Sequence, residues 1–264
     1  MPHPPAPATL WLVRHGESAA NVAREAALAR ESAEIDITHS DLEVPLSARG
    51  ERQAAALGRW WSEQPADQRP TVVVASPYTR ARHTAERIVA AGALAPDAAA
   101  VGANGDGAPA PVLLDERWRE KELGLFYTLT RFGVEQRFPE QWALRQQLGH
   151  FYYRPPNGES GADVAFRVRA ALDAVAREHA GERVLVVCHQ IVILCARYVL
   201  DRLDERGLGE LWRRYDLANC SVTTYRPDAT GRLALERYNF TVPLTDEDAP
   251  VTNEPAHSTG PAGP

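Results

Sequence analysis

The sequence predicts an α/β fold: a mostly parallel sheet with one antiparallel edge strand, and helices on both faces. Three observations predict it. The stretches TLWLV (9–13), TVVVA (71–75) and RVLVV (183–187) are short, β-branched and apolar throughout, which is the pattern of strands buried on both faces. Each is followed by a segment of helical composition, so strand and helix alternate. Toward the C-terminus, NCSVTTYRP and GRLALERYNF alternate polar with apolar around a turn at Asp228 to Gly231, which reads as an antiparallel hairpin closing one sheet edge.

In chain order, the first strand ends on Arg14 and His15, and the following ESAANVAREAALARESAE is rich in Ala, Glu and Arg, as a helix would be. LSARGERQAAALGRWWSEQ reads as an amphipathic helix with Leu57 and Trp60 or Trp61 facing inward. After the second strand comes PYTRARHTAERIVAAG, for which Ser76 is the expected N-cap and Pro77 the first helical residue. GALAPDAAAVGANGDGAPAPV is rich in Ala, Gly and Pro and is expected to be a mobile surface insertion at about 92–111. The segment from Leu113 to Ser160 is the least regular and is dense in aromatics and charge. Helices are expected over about 130–148 there, and such a segment beside an α/β sheet suits a substrate mouth. ADVAFRVRAALDAVAREHAG predicts a helix ending at Gly181, and VILCARYVL another after the third strand. The domain expected is a single one over 9–245, after a flexible N-terminus at 1–8. The tail at 246–264 lacks apolar periodicity and is expected to be disordered.

With 264 residues, 44% of them hydrophobic, the chain can bury one large core. A net charge of -6 argues against a nucleic-acid partner, which would want a broad basic face. No basic segment followed by an apolar run opens the chain, so no secretory signal is expected. The most apolar window, VLVVCHQIVILCARYVL, is interrupted by His189, Gln190 and Arg197 and falls short of the roughly 20 residues of a membrane span. A cytoplasmic protein without a membrane partner is expected. Cys188, Cys195 and Cys220 show no paired spacing and read as buried, reduced thiols. CSVTTYR, from Cys220 to Arg226, has the Cys-to-Arg spacing of cysteine-dependent phosphatases, but it lacks glycine and alternates like a strand, so it is set aside.

In parallel sheets, ligands collect at the carboxyl ends of the strands, beside helix N-termini that carry partial positive charge. Arg14 and His15 end one strand, Ser76 to Arg80 open the helix after the second, and His189 ends the third. Segments far apart in sequence thus bring two Arg and two His to one edge, a pocket suited to a phosphoryl group. Gly16 lets the backbone come close there, and Asn21 lies one turn into the next helix.

LVRHGESAAN (12–21) resembles the R-H-G signature of the histidine phosphatase superfamily, which includes cofactor-dependent phosphoglycerate mutases and many phosphatases. SPYTRARHTAE, NGESGADVAFRV and VLVVCH resemble further blocks in the right order, over about 9–240. The resemblance implies a phosphoglycerate mutase-like fold and makes His15 the nucleophile that becomes phosphohistidine, with Arg14, Asn21, Arg80 and His189 as phosphate ligands. A protonated His189 would both hydrogen-bond phosphate and favour its dianion. The leaving group's proton is implied to come from a carboxyl four residues before a glycine, here Glu120 with Gly124. Composition alone leaves Asp115, Glu116 and Glu122 as rivals. Neither metal nor other cofactor is implied.

Two departures stand out. Gln190 follows the second histidine where the mutases have Gly, and the mutases' twin-arginine segment has no match. In FYYRPPNGES, Arg154 is a candidate substrate ligand. Lys121 and Arg131 could also meet an anionic substrate, with Tyr152 and Tyr153 on its apolar part; surface cations and core tyrosines are the plainer reading. The expectation is a metal-independent phosphatase acting on a small phosphorylated metabolite. The alternatives are a phosphoglycerate mutase or a non-catalytic phospholigand-binding protein. Oligomeric state stays open, a homodimer included.

Overall fold

The structure, a computed structural model, describes residues 5–94, 110–214, 217–241, 244 and 249–253. Its centre is a six-stranded sheet in the order β3-β2-β4-β1-β5-β6. The strands are β1 (Thr9–Arg14), β2 (Val72–Ala75), β3 (Val112–Leu114), β4 (Arg183–Cys188), β5 (Val222–Pro227) and β6 (Leu233–Phe240). The first four in sequence pair in parallel, β5 runs against β1, and β6 pairs antiparallel with β5 at the edge. β1, β2 and β4 are largely apolar because both of their faces are covered. Leu10, Leu12, Val184 and Val186 enter a core with α6 (Gly161–Glu178), α7 (Gln190–Leu200) and α8 (Glu205–Arg214). Trp11, Val13, Leu185 and Val187 point the other way, onto α2 (Ala48–Ser62) and α3 (Thr79–Gly92). α1 (Ala19–Ala29), α4 (Arg131–Arg137) and α5 (Pro139–Tyr152) complete the helices.

Leu57 and Trp61 are fully buried on the inner face of α2, and Trp60 packs at its margin. The helix after β2 begins later than its sequence signals suggest. Ser76 does not cap α3: its N-cap is Tyr78, with no side-chain bond. The Ser76 hydroxyl instead meets His189 Nε2 at 2.8 Å and accepts the Tyr78 N–H at 3.3 Å. α6 starts on a capping box between Ser160 and Asp163 and stops at Glu178; Gly181 follows at φ 78° in the turn to β4.

Most of the insertion expected at 92–111 lies outside the described residues, but Val112 to Leu114 beyond it add the edge strand β3. The tail divides: Ala249–Asn253, within the segment expected to be disordered, is fastened to the domain. Gln53 Nε2 donates to the Pro250 carbonyl at 2.8 Å, and the Asn219 N–H donates to the Thr252 carbonyl at 2.9 Å. Backbone and side-chain hydrogen bonds hold it where apolar periodicity is missing. The three thiols are free and buried, and burial pushes their pKa values up, that of Cys195 to about 12. Among the described residues, no helix is long and apolar enough to cross a membrane.

Candidate active site

Parallel pairing of β1 with β4 sets Arg14 opposite Cys188, so the next residue of each strand, His15 and His189, leaves the sheet at the same edge. The His15 N–H donates to the Cys188 carbonyl at 3.0 Å, and the two imidazole centroids lie 5.2 Å apart. β2 delivers Ser76 to the same place, its N–H bonded to the Val187 carbonyl at 3.0 Å. The strand therefore stops on Arg14 and His15 at a buried end of the sheet where the other strands also bring polar side chains.

His15 is 3% exposed, and its Nδ1 lies 2.7 Å from the Gly16 carbonyl. A carbonyl can only accept, so Nδ1 carries the proton and Nε2 keeps its lone pair. Burial, then Arg80 and Arg14, drive the His15 pKa well below 6.5, so the ring is neutral at physiological pH. Gly16 is required less by any ligand than by packing: a Cβ there would sit 2.6 Å from the Gly50 carbonyl of α2. Arg14 is buried, with Nη1 donating to the Leu217 carbonyl at 2.5 Å.

Arg80, on the first turn of α3, lies over the Tyr78 ring and pairs with Asp41 at 2.9 Å, a partner from the segment between α1 and α2. Asn21 uses its amide oxygen in the α1 capping box with Ser18, so its NH2 is the side that can address an anion. His189 is wholly buried. Burial first, and Arg80 next, lower its pKa well below 6.5, so as it stands it is neutral rather than the imidazolium the sequence raised as an option. Its Nε2 meets Ser76, while Nδ1 has no hydrogen-bond partner and stands 3.9 Å from Glu120 Oε2.

The carboxylates that line the cleft, among the described residues, are Glu120 and Asp41. Glu120 sits on the loop after Trp118, and its Oε1 accepts the Lys121 N–H at 2.8 Å. Its sequence rivals point elsewhere. Asp115 is held by Arg117 at 2.7 Å, Glu122 stands 3.5 Å from Arg119, and Glu116 is exposed.

The cleft over this site encloses about 1300 Å³, its open mouth included. His15, Asn21, Arg80 and Glu120 line its floor, with Arg14 and His189 just behind. Its outer wall comes from the irregular central segment and α4, α5 and α8, and includes Lys121, Arg131, Arg145, His150 and Tyr153. Burial and neighbouring Arg145 lower the Lys121 pKa to about 8, and burial, Arg145 and Lys121 lower that of His150 to about 3. Arg154 is not brought to the cleft: it is exposed and pairs with Asp163 on α6 at 2.5 Å. Tyr152 is half exposed and bonded to Glu205. No group of three or more His, Cys, Asp or Glu able to hold a metal occurs among the described residues. Cys220 is buried in the turn just before β5, and its own N–H and that of Ser221 are taken by the carbonyls of Arg14 and Ala218.

Sequence reasoning missed Asp41, Ser76 as a partner of His189, and Trp212 of α8, each of which acts through a contact between distant segments. One consequence of the buried imidazoles can be measured. In the unfolded chain, His15 and His189 protonate near pH 6.5, whereas the fold resists protonation of both. Below that pH the unfolded state binds more protons, so stability is lost as pH falls, by up to about 1.4 kcal/mol per pH unit for each ring. Above it the contribution is constant. Urea unfolding between pH 7 and 5.5, where carboxylates scarcely titrate, should show a falling midpoint and a shallower fall in His189→Asn; equal slopes in the two proteins would contradict this.

Comparison with known proteins gives one family. The model of the histidine phosphatase superfamily, branch 1, matches residues 10–241. A probable phosphoglycerate mutase, GpmB of Yersinia enterocolitica, is 30% identical over 216 residues, covering 81% of this chain and 82% of its own length. Human 6-phosphofructo-2-kinase/fructose-2,6-bisphosphatase 3 is 29% identical over 75% of this chain, which spans 31% of that protein. Among solved structures, YhfR of Bacillus stearothermophilus has a TM-score of 0.68 and 25% identity, over 90% of this chain and 99% of that one. A mycobacterial glucosyl-3-phosphoglycerate phosphatase solved with VO3 shares the fold, with a TM-score of 0.65 and 22% identity over 88% of this chain and 99% of that one.

Proposed function

Because the chain belongs to the histidine phosphatase superfamily, we propose that it is a phosphomonoesterase that hydrolyses a small phosphorylated metabolite through a phosphohistidine on His15, without a metal ion. The observation that carries this reading is the His15 ring itself. It is neutral, its proton is fixed on Nδ1 by the Gly16 carbonyl, and it lines a cleft with Arg80 beside it and Glu120 within reach.

Nε2 attacks phosphorus while the guanidiniums of Arg14 and Arg80 and the NH2 of Asn21 take up charge on the equatorial oxygens. If Ser76 donates its hydroxyl to His189 Nε2, the proton of the neutral His189 ring lies on Nδ1, 3.9 Å from Glu120 Oε2, where a phosphoryl oxygen can accept it. A bound dianion also favours the imidazolium, so phosphate and a proton enter His189's surroundings together. Glu120 gives its proton to the leaving alkoxide and later takes one from the water that attacks phosphohistidine. The cationic floor supports chemistry without a metal, since it supplies the countercharge a metal would otherwise bring.

The mutase reading is kept because GpmB is named a probable phosphoglycerate mutase. The two part on whether the phosphoryl group leaves to water or to substrate. The test compares phosphate release from sugar phosphates, nucleotides, phosphoglycerates and phosphoproteins with isomerisation of 3-phosphoglycerate under a bisphosphate primer, each with and without chelator. Release unaffected by chelator and inhibited by vanadate is expected. Isomerisation outrunning release would make the protein a mutase, and chelator inhibition would end the metal-free mechanism.

A further inference from the structure

A closed ring of hydrogen bonds runs from the nucleophile's backbone to the segment 249–253. The Glu17 N–H donates to Gln53 Oε1 at 2.9 Å, and Gln53 Nε2 donates to the Thr252 hydroxyl at 2.9 Å and to the Pro250 carbonyl at 2.8 Å. The Thr252 hydroxyl donates to Asn219 Oδ1 at 3.1 Å, and Asn219 Nδ2 donates to the His15 carbonyl at 3.0 Å. Both amides are fully buried. Two residues before Asn219, the Leu217 carbonyl holds the Arg14 guanidinium, and the Cys220 N–H bonds the Arg14 carbonyl at 3.0 Å. The Asn219 N–H in turn bonds the Thr252 carbonyl, and Ala218 bridges to Asn253.

We propose that Ala249–Asn253 is a positioning strap that sets the nucleophile: Thr252 joins Gln53 to Asn219, and these amides clamp the His15–Glu17 backbone from its two ends. The geometry makes the assignment specific. An amide side chain can present its oxygen and its nitrogen the wrong way round; here the Glu17 N–H and the Pro250 carbonyl set Gln53, the His15 carbonyl sets Asn219, and the Thr252 hydroxyl, accepting from one amide and donating to the other, couples the two. Gln53 must then show oxygen to the Glu17 N–H, and Asn219 must show nitrogen to the His15 carbonyl. A displacement of the attacking nitrogen by about 1 Å costs on the order of a hundredfold in rate, so a strap remote from substrate can control turnover without touching binding.

The proposal rests on His15 as nucleophile, and its test separates the two. Five proteins are compared: the full chain, Thr252→Val, Thr252→Ser, a chain ending after Asp248 and, as control, one ending after Asn253. Amide hydrogen exchange at Glu17 needs no turnover; kcat and KM for p-nitrophenyl phosphate need it. Thr252→Val and the shorter chain should exchange the Glu17 amide about tenfold faster, with kcat lower by about tenfold or more and KM within about twofold. Thr252→Ser and the chain ending at Asn253 should match the full protein on both readouts. Unchanged exchange in Thr252→Val would overturn the clamp, and faster exchange with unchanged kcat would overturn its role in positioning. A full-length chain that hydrolyses nothing would defeat the phosphatase reading, and exchange alone would then decide the clamp.

Discussion

His15→Ala should lose turnover by about 10⁴-fold or more while remaining folded. The size follows from the role. The remaining cations could still bind an ester and stabilise charge on it, but the other neutral imidazole of the cleft, His150, lies in the outer wall with its Nδ1 accepting from Arg145 at 3.1 Å, and direct attack by water would need a different geometry. His189 is no substitute, because its Nε2 is engaged with Ser76 and it stands behind the floor. The fold has reason to tolerate the change, since the ring removed is neutral and its Nδ1 proton goes to the carbonyl of the next residue and not to a distant segment. The measurement is phosphate release from the best ester found in the screen, alongside thermal unfolding with and without vanadate. Hydrolysis at the wild-type rate would end the covalent mechanism.

Glu120→Gln should lower kcat by about 10²- to 10⁴-fold with alkyl phosphates, and should keep its affinity for vanadate. The carboxamide retains the shape and the acceptor for the Lys121 N–H, but it can neither donate the leaving-group proton nor take one from water. The loss should be smallest in the first step with p-nitrophenyl phosphate, whose leaving group needs no proton, so that product appears as a burst before slow dephosphorylation. Loss of vanadate binding would show that Glu120 holds the ligand instead of moving protons. Asp41, the other carboxylate of the cleft, would then be examined, although its pairing with Arg80 suits it to positioning rather than proton transfer.

The parts of this molecule that could be read from the chain are those governed by local rules. Buried parallel strands must be apolar on both faces, so TLWLV, TVVVA and RVLVV announce themselves, and the residues after them must lie at one edge. That is why Arg14, His15, Arg80 and His189 can be brought to one edge from the sequence pattern alone. β3 was hidden because it has only three residues, two of them exposed leucines, next to a stretch of Ala, Gly and Pro. α8 carries two glycines that argue against a helix, yet its buried Leu208, Leu211 and Trp212 fall at helical spacing and could have revealed it. Ser76 has the composition of a cap, and its bond to His189 depends on a strand 113 positions away. The rivals of Glu120 separate for the same kind of reason: Arg117 takes Asp115, and Arg119 turns to Glu122 and Glu159. Arg154, picked by its place beside the tyrosines, found Asp163 one turn into α6 instead. Residues 249–253 have no periodicity to read, because their attachments are hydrogen bonds to Gln53 and Asn219.

The decisive measurement is mass spectrometry of Glu120→Gln quenched in alkali during turnover of p-nitrophenyl phosphate, since this variant should hold the intermediate longest. A phosphoryl group stable to alkali and labile to acid, on the peptide bearing His15 and on that residue, is the expected result. Burst-phase turnover with no phosphorylated histidine, or with phosphate on Cys220 or a serine, would contradict the account.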